Sequence, residues 1–192
     1  MQDPYDYEIH VNPGYGKKRF SSEEIRDIFV AIVVLSIAFL IMCRDNVIMA
    51  CLEYHLGEMG RWAGLFAICF VLVVFSFLLH EFGHKFTAQK YGMWSEFRLY
   101  PVGLILTLVT SMMGFLFAAP GVVYIRGYAD IEKNGKISMA GPIVNIILAA
   151  IGIAAVMTMN NSPYWLDDPA FLAILVFMML ASLNSFLAVF NL

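Results

Sequence analysis

The chain has 192 residues, 60% hydrophobic and 14% charged, with a net charge of −3 and a mean hydropathy of +0.74. A soluble globular domain carries about 45–50% apolar and about 25% charged residues, so a soluble core is excluded and lipid is the fitting solvent. The acidic balance gives no footing for a nucleic-acid partner. The three cysteines, Cys43, Cys51 and Cys69, form no CxxC pair and read as buried small hydrophobes, not as a disulfide framework.

Residues 1–27 form a polar N-terminal tail without the charged, apolar, small-residue order of a secretory signal. Residues 28–192 are read as one membrane-embedded core. Its first apolar run, Ile28–Met42, holds 15 uncharged residues. A span needs about 20, so the run borrows length from Cys43 and from snorkelling Arg26 and Arg44. The second run, Trp62–Leu79, is closed by His80 and Glu81, with helix expected to continue through Lys90 and stop at Gly92. The third is Leu99–Ala119, the fourth Ile137–Met159 and the fifth Phe171–Leu192. Between the first two runs, His55 and Glu58 are expected in a solvated loop.

Basic residues set orientation. Lys17, Lys18, Arg19 and Arg26 precede the first run, and Lys85, Lys90 and Arg98 follow the second. The N-terminus and the His80 end of the second helix are therefore expected on the cytosolic side. If Leu99–Ala119 crossed the bilayer, Arg126, Lys133 and Lys136 would lie outside, against the charge rule. If it enters and returns, the conflict vanishes. Pro101, Gly103, Gly114, Pro120 and Gly121 interrupt it, and Thr107, Thr110 and Ser111 can satisfy freed backbone groups. The expected fold is an all-α membrane protein with about four transmembrane helices plus a re-entrant hairpin. The segment Gly121-Val122-Val123-Tyr124-Ile125 is either a short β-strand whose edge could pair with an extended substrate or an ordinary interfacial loop.

The chemistry lies in His80-Glu81-Phe82-Gly83-His84. Residues four apart share a helix face, so both histidines can hold one metal ion. Glu81 is then placed as general base towards water whose pKa the metal lowers to about 7. With 4 histidines in 192 residues, chance places the HExxH pattern in roughly 0.3% of shuffled chains. Ionisable residues at the end of a span are functional candidates by default; the plainer alternative is a polar helix cap at the interface. Gly83 permits close approach of another helix. Gly141-Pro142 is expected to open the fourth span, and Asn145, Asn184 and Asn191 are intramembrane amides that would otherwise serve as interhelical hydrogen bonds.

HEFGHKFTAQKYG, Ala140-Gly141-Pro142-Ile143-Val144-Asn145 and the closing Phe190-Asn191-Leu192 resemble, in family order, three landmarks of the site-2 proteases, intramembrane zinc metalloproteases. The resemblance covers about residues 62–192. It implies Zn²⁺ on His80 and His84, Glu81 as catalytic base, Asn191 assisting at the substrate carbonyl, a membrane-inserted hairpin after the motif helix, and a membrane-spanning protein as substrate within the bilayer. The family's third ligand, an aspartate further along the last landmark, has no counterpart here; Asp130, Asp167 and Asp168 fall elsewhere in the order. The expectation is therefore a catalytic core incomplete at its C-terminus. The alternative is a catalytically inactive membrane scaffold or binding protein of the same family. Prenyl-protein proteases, which take a glutamate as third ligand, are disfavoured by the A-G-P-x-x-N landmark.

Overall fold

The structure, a computed structural model, describes residues 20–159, 166 and 168–191. Residues 1–19 of the polar tail, His10 among them, and most of the loop before the last helix lie outside the described residues.

Helix α1, Ser22–Cys43, begins six residues before the apolar run. Its start is chemical: Ser21 is the N-cap, and its hydroxyl oxygen accepts the Glu24 amide at 3.0 Å. Charged residues of this first turn are thus helical, and Glu24 and Asp27 are buried against other elements. Helix α2, Val47–Val73, is capped by Asn46. It contains a break at Gly57, where φ is +73° and ψ 174°, a conformation open to glycine at little cost. The segment of His55 and Glu58 is consequently helical and exposed, not a loop as expected, because the break allows a helix to turn without unwinding its neighbours.

After Val73 the same axis makes one π-helical turn, Val74–Leu78, and continues as α3, Leu79–Lys90. Lys90 is the last helical residue and Gly92, at φ +78°, turns the chain into β1, Trp94–Leu99. Helix α4, Pro101–Met112, follows, then a turn at Gly114 (φ +87°) and an extended limb back to β2, Gly121–Arg126. The two strands pair antiparallel, with Trp94 opposite Arg126 and Leu99 opposite Gly121. The third apolar run is therefore a hairpin that departs and returns at one point. Thr107 holds its two limbs together, its single hydroxyl proton shared between Gly103 O at 2.8 Å and Phe117 O at 2.9 Å. Gly103 must be glycine here, since a Cβ would meet the Ala119 backbone.

Helix α5, Ile131–Met159, and helix α6, Pro169–Phe190, complete the chain. Among the described residues, four helical stretches are long and apolar enough to cross a membrane: Ser22–Cys43, Val47–Lys90, Ile131–Met159 and Pro169–Phe190. Helix α5 exposes Ile143, Ile146, Ile147, Ile151 and Ile153, as a lipid-facing surface would. The core joins α1, α2, the π-turn, β1 and α6 through residues such as Leu35, Phe39, Leu65, Leu72, Phe77, Phe97, Leu183 and Leu187.

One expectation about α5 fails. Pro142 does not sit at the helix start; it is internal, because the helix begins eleven residues earlier at Ile131 on the Asp130 cap. An internal proline removes the hydrogen bond to the carbonyl four residues back, that of Ser138, and loosens the helix there. That loosened turn faces α3.

Candidate metal centre

Helical spacing brings the motif histidines together as required. His80 Nε2 and His84 Nε2 lie 3.1 Å apart, with the rings edge to face. What fixes the rings comes from other elements. His84 Nδ1 is 2.8 Å from Ile137 O on the loosened turn of α5. A carbonyl can only accept, so Nδ1 carries the proton and Nε2 offers a lone pair.

His80 Nδ1 is hydrogen-bonded to Asn145 Oδ1. The Asn145 amide is held this way round by two acceptors of its Nδ2 protons, the first being Ser76 O at 3.1 Å. Nδ2 also donates to Asn184 Oδ1 at 2.7 Å. Asn184 is fixed in turn, its Nδ2 donating to Leu180 O and to Ser76 Oγ, both at 2.8 Å. Asn145, Asn184 and Ser76 are all fully buried. His80 must therefore donate from Nδ1 as well, and its Nε2 also offers a lone pair.

Two lone pairs 3.1 Å apart, with no proton between them, repel unless a cation joins them. Two ligands at about 2.0–2.1 Å from one tetrahedral zinc would be roughly 3.3 Å apart. The space for an ion is kept by Gly141. A Cβ there would sit 2.7 Å from His80 Nε2 and closer still to His84 Nε2. Donor chemistry, spacing and cradle thus fit two corners of a zinc site. Among the described residues no group of three His, Cys, Asp or Glu side chains converges to complete it. Asp130 instead caps α5, accepting from Lys133 N at 2.8 Å, and Asp168 caps α6, accepting from Ala170 N at 2.8 Å. Asp167 lies outside the described residues.

A cavity of about 330 Å³ opens on the histidines. Its walls include Glu81, Gly121, Val122, Val123 and Asn191. Tyr124 belongs to the same strand but does not line it and is 55% exposed. Ile125, Asn134, Ile137 and Ser138 complete the walls and were not singled out by the sequence. Asn191 is exposed at the end of α6, its Nδ2 donating to Leu187 O at 2.8 Å. The cavity gathers α3, β2, the start of α5 and the end of α6. Those ends meet only because the hairpin returns to the side it left.

Gly83 sits on the neighbouring face of α3, where a Cβ would be 2.8 Å from Ala140 O, so its absence lets α3 lie directly on α5. Lys85, one residue past the motif, is 1% exposed and paired with Glu24 Oε1 at 2.6 Å. It also donates to Glu24 Oε2 at 2.7 Å and Ser95 O at 3.1 Å. Glu24 accepts the Phe97 amide at 2.9 Å. This buried pair ties α1, α3 and β1 into one corner beside the cavity. Its members are far apart in sequence, and only a charge placed among motif residues hinted at it.

Fold and site define a helical membrane protein with two converging histidines at one cavity. The chain is 34% identical, over 177 residues, to the protein named "Putative zinc metalloprotease MJ0611" of Methanocaldococcus jannaschii, covering 90% of this chain and 78% of that one. It is 32% identical over 102 residues to "Putative zinc metalloprotease YwhC" of Bacillus subtilis, covering 47% of this chain and 45% of that one. The chain belongs to this zinc metalloprotease family. No family model matches it, and no solved structure matches it.

Proposed function

We propose that the protein is an intramembrane protease of the site-2 type, hydrolysing peptide bonds of membrane-spanning protein substrates. The observation that carries this reading is the pair of converging Nε2 lone pairs over Gly141, in a cavity walled by a β-strand and set at the end of transmembrane helices. His80 and His84 would hold the zinc ion. When bound, zinc lowers the pKa of the attacking water and polarises the scissile carbonyl.

The chain's own groups supply the rest. The Glu81 carboxylate takes a proton from the attacking water and passes it to the leaving amine nitrogen. Asn191 Nδ2 keeps one proton on Leu187 O and turns the other towards the substrate carbonyl oxygen. The segment Gly121–Tyr124 offers main-chain groups to an extended substrate, whose pairing adds a third strand. A substrate helix has to unwind first, because its carbonyls are bonded within the helix. Charge asymmetry sets the N-terminus and the cavity on the cytosolic side.

Glu81→Gln is expected to abolish cleavage of a membrane-spanning substrate while leaving zinc content near that of the native protein; cleavage at native rates would refute the role of Glu81. The second reading is a non-catalytic scaffold of the same family. Metal analysis separates them: about one zinc per chain, lost in His84→Ala, supports the protease, and zinc-free protein supports the scaffold.

A further inference from the structure

The helix bearing the motif changes pitch just before it. The π-helical turn Val74–Leu78 ends one residue short of His80. A π-turn departs from the i to i−4 ladder, and such turns are frequent at functional sites. Ser76, at its centre, is fully buried and presents both its carbonyl and its hydroxyl sideways, to Asn145 on α5 and Asn184 on α6. Four polar groups from three elements then close a network in which Leu180 O orients Asn184, while Ser76 O and Asn184 Oδ1 together orient Asn145.

We propose that the π-turn, Asn145 and Asn184 form one positioning device that holds His80 as its Nδ1–H tautomer with Nε2 towards Gly141. Asn184 touches neither His80 nor the cavity, yet it is a positioning residue of the site. Its Oδ1 is the acceptor that, with Ser76 O, occupies both protons of the Asn145 amide. Take Asn184 away and one of the two Asn145 protons loses its acceptor in a fully buried setting. Reversing that amide becomes competitive, and a reversed amide presents a donor to His80. The ring must then move its own proton to Nε2, where it blocks metal binding. His84 is untouched by this chain of events, because Ile137 O alone fixes it.

The inference rests on the reading of His80 as a ligand, but its primary test does not. In metal-free protein labelled with ¹⁵N-histidine, at a pH where the rings are neutral, His80 is expected as the Nδ1–H tautomer. A native His80 protonated at Nε2 overturns the proposal outright. In Asn184→Ala, His80 is expected to become a mixture of tautomers while His84 keeps its native signal, which also reports that the fold is intact. Zinc affinity should fall about 10- to 100-fold, the usual cost of losing an outer partner of a ligand. Ser76→Ala removes only the hydroxyl acceptor and leaves both carbonyls that set the orientations, so it should change zinc affinity less than about threefold. Native tautomer and native zinc affinity in Asn184→Ala would overturn the inference and leave the protease reading standing. Tautomer shifts as expected in a protein that binds no zinc would do the reverse.

Discussion

The Glu24–Lys85 pair gives the sharpest quantitative test of how the site is held. Glu24 is fully buried and Lys85 1% exposed, with Nζ at 2.6 and 2.7 Å from the two carboxylate oxygens. At an effective dielectric of about 20, charges at this separation attract by roughly 6 kcal/mol. Glu24→Gln keeps the volume and an acceptor for the Phe97 amide but leaves the ammonium without its counter-charge. Breaking a buried pair costs about 3–5 kcal/mol. The lower end applies, because Ser95 O at 3.1 Å and the Phe20 ring at 4.5 Å still face the ammonium. A loss of about 3 kcal/mol is more than a hundredfold in the folding equilibrium. The double variant Glu24→Leu/Lys85→Met, which removes both charges and fills the space, should return to within about 1 kcal/mol of the native protein. Unfolding in mixed micelles by a denaturing detergent, followed by tryptophan fluorescence, measures both. A loss under about 1 kcal/mol in Glu24→Gln, or a double variant as unstable as the single, would refute the reasoning.

Three further outcomes follow from particular contacts. Gly141→Ala should drive zinc content towards zero without changing helicity, since the new methyl occupies the space between the two Nε2 atoms; metal analysis beside circular dichroism checks it. Gly83→Ala should destabilise the protein by about 1–3 kcal/mol, as overpacking does, because its methyl meets Ala140 O; the same detergent unfolding reads the loss. Lys133→Cys, in a background whose own three cysteines are buried, should be labelled by an impermeant thiol reagent only when the cytosolic face is open. Labelling from outside intact cells would overturn the assigned sidedness.

The histidine pair, the helical spans and the returning hairpin were legible because each rests on local physics. A four-residue spacing puts two rings on one helix face whatever surrounds it. Long apolar runs demand lipid or a core. The conflict between basic residues and a fifth crossing pointed to the hairpin before any contact was known. Asn191 was reached through the family resemblance, and its side chain lines the same cavity as the histidines.

Contacts across large sequence separations were not legible. Nothing near Glu24 announces that its partner is Lys85, 61 residues away. The Asn184–Asn145–Ser76 network spans 108 residues and depends on how three helices pack. The glycine break at Gly57 and the internal placement of Pro142 misled the reading of their surroundings, because both residues also occur at ends and loops. Sequence by itself determined the histidine pair, since helical pitch suffices to bring His80 and His84 together. Tertiary structure alone decided which nitrogen of each ring faces the other, because that choice belongs to Ile137, Asn145 and the carbonyls behind them.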